Sequence, residues 1–94
     1  MGRETRLFKT QERKSRQEAA AFLRQLADRL DGDGIVLRQG TQEIRLQPPA
    51  WLTLEVQVED EDKGARGVQH SLEVELKWFD GDEQAGEGGG LELG

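Results

Sequence analysis

The sequence predicts an α+β fold: one amphipathic helix packed on one face of an antiparallel sheet, in the order β-α-β-β-β-β. Three observations predict it. A capped apolar stripe at helical spacing runs through residues 15–30. Residues 51–59 and 68–78 alternate apolar and polar side chains with a period of two. Breaks containing Gly or Pro separate the segments, as turns require.

The first element is a short edge strand over residues 5–14. Phe8, Thr10 and Glu12 share one face there, and Leu7, Lys9, Gln11 and Arg13 the other. Charged side chains on such a strand discourage pairing with another molecule.

The helix begins with Ser15-Arg16-Gln17-Glu18. This is a capping box, in which the Ser15 hydroxyl accepts from the Glu18 N–H and the Glu18 carboxylate accepts from the Ser15 N–H. Ala19, Phe22, Leu23, Leu26, Ala27 and Leu30 then recur at spacings of three and four, which forms one apolar stripe. Asp31-Gly32-Asp33-Gly34 ends the helix, with Gly32 or Gly34 available for a left-handed position.

Four strands follow. Residues 35–38 and 41–46 flank Gln39-Gly40 as a hairpin, and Pro48-Pro49 stops the second of them. In the third, Leu52, Leu54, Val56 and Val58 oppose Thr53, Glu55, Gln57 and Glu59. In the fourth, Leu72, Val74, Leu76 and Trp78 oppose Ser71, Glu73, Glu75 and Lys77. The pattern describes a sheet with one dry and one wet face, in a register that a one-residue slip would invert. The helix is expected across the dry face, leaving little apolar surface. Residues 1–79 are expected to form one domain, and residues 80–94 a flexible acidic, glycine-rich tail.

Composition narrows the chemistry. Among 94 residues there is no cysteine, so disulfides, thiolate metal sites and cysteine nucleophiles are excluded. No apolar run reaches the length of a membrane span, and the first residues lack a secretory apolar core. A cytoplasmic location is expected. The net charge of −6 is unevenly spread: residues 1–29 hold eight Lys/Arg and four Asp/Glu, and residues 30–94 five and fifteen. A basic first third is a footprint for nucleic acid or an acidic partner, but here acids interrupt it.

Candidate sites are few. His70, the one histidine, shares the parity of Leu72 and Val74 and stands near the start of its strand beside a loop, so a rim position is expected. With no evident Ser or Cys nucleophile to pair with, no catalytic role is expected of it. Asp31-Gly-Asp33, residues 59–62 and Asp80-Gly-Asp82-Glu83 are acidic. A calcium loop started at Asp31 fails at Ile35, and one started at Asp80 fails at Gln84 and Leu91. Residues 86–90 lack the Lys and Ser/Thr of a phosphate loop. Trp78 belongs to the dry face. Trp51 and Phe79 have the outer parity, and together they form a candidate aromatic interaction patch.

From Phe8 through the helix phrase of residues 18–30, residues 35–37, Leu46-Gln-Pro-Pro49, residues 54–56 and the phrase Leu72-Glu-Val-Glu-Leu-Lys-Trp78, the chain resembles the amphi-Trp domain family. That name describes amphipathic strands and a frequent tryptophan, which Trp78 fits. The resemblance implies a small, mostly prokaryotic domain common in halophiles, and it transfers no catalytic or binding residue. Lys14 departs from the apolar residue the family tends to place before the cap.

The expected function is a non-enzymatic protein-interaction module, with self-association as one form. The alternative is a nucleic-acid-associated accessory protein using the basic first third. No catalytic residue, cofactor or metal is expected. Another protein or a second copy is favoured as partner over nucleic acid, a small molecule or a membrane.

Overall fold

A computed structural model describes residues 2–81 and 90–94. The elements are α1 (Arg16–Leu30), β1 (Ile35–Gln39), β2 (Gln42–Leu46), β3 (Thr53–Asp62), a short 3-10 turn (Gly64–Arg66) and β4 (Val68–Lys77). The chain divides into two compact units, Met1–Gln47 and Pro48–Gly94. The α+β class and the run of helix followed by antiparallel strands are as the sequence predicts. Residues 5–14 form no strand. Their alternation is weak and charges fall on both faces, so neither face drives a ladder.

In the first unit, Ser15 caps α1 as a full capping box. Its hydroxyl accepts from the Glu18 N–H at 3.0 Å, and Glu18 Oε1 accepts from the Ser15 N–H at 3.3 Å. Lys14, which replaces an apolar residue before the cap, lies 3.9 Å from Glu18 Oε2 and 3.3 Å from Glu12 Oε2. It therefore supports the helix start electrostatically, where an apolar residue would do so by packing. At the far end, the N–H groups of Asp31 and Gly32 donate to Ala27 and Arg29 carbonyls. The positive φ that lets the chain turn away falls at Gly34, at 132°. A Cβ there would stand 3.0 Å from the Leu46 carbonyl oxygen, so glycine is required by both backbone angle and space.

β1 and β2 pair antiparallel from Ile35↔Leu46 to Gln39↔Gln42, around a turn of Gly40 and Thr41. The α1 helix meets β1. Leu26, Leu30, Leu37, Ile44 and Leu46 are half-buried. Ile35, at 6% exposure, is the one buried hydrophobic side chain among the described residues. Phe22 and Leu23, in the first half of the helix stripe, stay more than half exposed.

The second unit is built on β3 and β4. They pair antiparallel over their full length, from Thr53↔Lys77 to Asp62↔Val68. Leu54↔Leu76, Val56↔Val74 and Val58↔Leu72 fall on one face, and Glu55↔Glu75, Gln57↔Glu73 and Glu59↔Ser71 on the other. The connection is tight. The Lys63 N–H donates to Gly67, and the Gly67 N–H donates to Gly64, at 2.8 and 2.9 Å. Asp62 Oδ1 accepts from the Gly64 N–H at 2.8 Å. Gly67, at φ 89° and ψ −154°, holds a conformation that side chains with a Cβ rarely adopt.

The described strands form two separate two-stranded ladders, β1-β2 and β3-β4. Leu54, Val58, Val68, Leu72 and Val74 are all more than half exposed. Period-two patterning fixes which side chains share a face, while what covers that face depends on partners outside the strand. Trp78, expected in a core, is half-buried.

Ser15→Ala is expected to destabilise the helical unit by about 1 kcal/mol, read from urea unfolding followed by far-UV circular dichroism. The hydrogen bonds from Ser15, aided by Lys14, hold the Glu18 carboxyl below its usual 4.5. A lowered native pKa stabilises above the unfolded value. The Glu18 contribution is thus complete above pH 4.5 and lost as pH falls through the lowered value. Helicity near neutrality is expected to exceed that in acid, and the difference should shrink in Ser15→Ala.

Candidate functional site

The largest feature outside the ordinary is the apolar face of the β3–β4 hairpin. It is built by register alone: every even position from Leu54 to Val58 lies opposite an even position from Leu72 to Leu76. Exposure reaches 72% at Val58 and 69% at Leu72. Contiguous exposed apolar surface is a feature that protein contact sites share.

Trp51 and Phe79 sit at the open end of the same hairpin, just before β3 and just after β4. Trp51 is 49% exposed and Phe79 83% exposed. Two more steps of the β3–β4 register would set Trp51 opposite Phe79. Regular pairing stops at Thr53↔Lys77. Leu52 and Trp78, at the intervening step, are half-buried.

At the closed end, His70 lies opposite Asp60, with Nδ1 2.6 Å from Asp60 Oδ1. The pair belongs to the face of Val58 and Leu72, closes the apolar strip with polar groups, and is exposed. It supplies an oriented imidazole but no nucleophile beside it. The opposite ends of β3 and β4 became neighbours through the loop geometry, which the sequence pattern did not reveal.

The polar face has its own organisation. Glu55 and Glu75 lie directly opposite each other, an unfavourable pairing of like charges. Lys77 relieves it, with Nζ 3.0 Å from Glu55 Oε1 and 3.7 Å from Glu75 Oε1. A surface depression lined by Glu55, Glu73, Val74 and Glu75 lies here. Its carboxylates are exposed, and Lys77 lies against two of them, Glu55 and Glu75.

The acidic run of residues 59–62 is used structurally. Asp60 meets His70, Glu61 meets Lys63 at 3.0 Å, and Asp62 caps the loop. No group of three or more His, Cys, Asp or Glu among the described residues is placed to hold a metal ion. The glycine run of residues 86–90 and the acids Asp82 and Glu83 lie outside the described residues, apart from Gly90. No helix among the described residues is long and apolar enough to cross a membrane.

A capped helix, a short hairpin and a long one-sided hairpin define a small α+β domain whose main feature is an amphipathic two-stranded ladder. The chain belongs to the Amphi-Trp domain family, which it matches over residues 1–94. No curated protein and no solved structure matches it.

Lys77 holds its proton more tightly than an ordinary lysine because it hydrogen-bonds to Glu55, whose charge adds to the effect, as does that of Glu75. Its raised pKa contributes stability that is complete below 10.5 and lost as pH rises through the native value. Glu55→Gln is expected to move the Lys77 titration back toward 10.5, followed by NMR of the side-chain methylene next to Nζ.

Proposed function

We propose that the chain is a non-enzymatic protein-interaction module whose main contact surface is the apolar face of the β3–β4 hairpin, with Trp51 and Phe79, of the outer parity at its open end, as a second and smaller aromatic contact. One observation carries the reading: Leu54, Val56, Val58, Leu72 and Val74 share one face and are all exposed. Interface centres favour apolar and aromatic side chains and are depleted in charge. The flanking Asp60–His70 pair supplies the polar rim. A prokaryotic setting is what the family resemblance of residues 8–78 implies.

Nucleic acid is the weaker partner. Lys14 in the basic first third is already matched by Glu12 and Glu18, and residues 2–15 form no element to dock in a groove.

The test is binding of the dye 1-anilinonaphthalene-8-sulfonate by the full chain. Wild type is expected to enhance its fluorescence. The double variant Val58→Lys/Val74→Lys is expected to lose most of the signal with its far-UV spectrum preserved, and Trp51→Ala part of it. Equal fluorescence from wild type and the double variant refutes the reading.

A further inference from the structure

We infer that two copies of this chain associate through the free edge of β4, in antiparallel fashion about a two-fold axis at Leu72, making one four-stranded sheet in the order β3-β4-β4-β3. The inference rests on the reading of the β3–β4 hairpin as an interaction surface, and it names the first partner as a second copy.

The starting point is the length of the unpaired edges. β3 and β4 each run ten residues and pair only with each other among the described residues. Each therefore presents an outer row of backbone N–H and C=O groups, the template on which further strands add. Neither strand contains the proline that would block addition.

The two edges differ in charge. β3 carries Glu55, Glu59, Asp60, Glu61 and Asp62 and no Lys or Arg. In an antiparallel self-pair, residues whose numbers have a constant sum face each other, and an even sum keeps the apolar faces together. The two longest such registers of β3 on itself place Glu55 opposite Glu59 or Glu61 of the second copy. Like charges directly opposite disfavour the pairing. The acids thus protect the β3 edge.

β4 behaves differently. One of its two longest in-face registers centres on Glu73 and sets that carboxylate against itself. The other centres on Leu72. There Leu72 faces Leu72 of the second copy, His70 faces Val74, and Val68 faces Leu76. On the wet face Ser71 faces Glu73, and Gln69 faces Glu75. No acid lies directly opposite another acid, and the apolar side chains of both copies fall on one continuous face. Among these antiparallel self-pairs the charge pattern therefore selects the strand and the register together. The two apolar strips merge into a wider one that stays open to a further protein.

The experiment uses the full chain. Sedimentation velocity of wild type is expected to show a concentration-dependent monomer–dimer equilibrium. Under mild oxidation, Leu72→Cys is expected to form a disulfide-linked dimer several-fold faster than Val58→Cys, which lies on the protected strand. The register is read by mixing His70→Cys with Val74→Cys. These positions face each other only across the proposed interface, so the mixture is expected to cross-link several-fold faster than either variant alone. Circular dichroism checks that each variant keeps its fold. A wild type that sediments as a monomer at every concentration overturns the inference, as does cross-linking of Val58→Cys as fast as Leu72→Cys. So does a mixture no faster than its components. A monomer whose dye signal is still lost in Val58→Lys/Val74→Lys refutes the edge pairing alone, whereas a monomer with no such difference refutes the interaction surface as well.

Discussion

The in-face register of β3 and β4 is the constraint on which the second unit depends. Leu54↔Leu76, Val56↔Val74 and Val58↔Leu72 hold the two strands to one alignment. A shift by one residue would set each of these side chains against a polar or charged one. From that alignment follow the dry strip, the opposed Glu55 and Glu75 that Lys77 relieves, and the meeting of Asp60 with His70. The loop supports the same alignment from its own side, since the Lys63 N–H reaches the Gly67 carbonyl and the Gly67 N–H reaches Gly64 when the strands enter it in this phase.

The first unit is held by different means. Its ladder is half as long, and its structure starts from a helix whose first turn is satisfied by Ser15, Glu18 and Lys14. Helices of this length are marginal alone, so capping and the contact with β1 both matter. Ile35 is the point where burial is complete. Gly34 beside it permits the close approach to Leu46 that brings β2 alongside.

Much of this was legible in the residues. The capping box could be read because its chemistry spans four consecutive positions. The β3–β4 faces could be read because parity decides them. The positive φ near the end of α1 was narrowed to Gly32 or Gly34, and the space beside Leu46 selects Gly34. The supposed strand at residues 5–14 misled because its alternation lacked an apolar face to bury. Alternation along β3 and β4 identifies an apolar surface without identifying what meets it. Parity also gave Trp51 and Phe79 the same outer face. Their place at the open end of one hairpin came from the ladder, whose length no local motif encodes. Asp60 and His70 could be paired only once the loop had set the register.

Strict alternation along β3 and β4 also governs how such a sequence can change over time. Substitutions that keep each position apolar or polar leave the ladder intact, so composition can drift widely. Gain or loss of a single codon within either strand is a different event. It exchanges the two faces for every residue beyond it, much as a reading-frame shift garbles a message. Changes in length are therefore confined to the connection at residues 63–67 and to the segments flanking the hairpin.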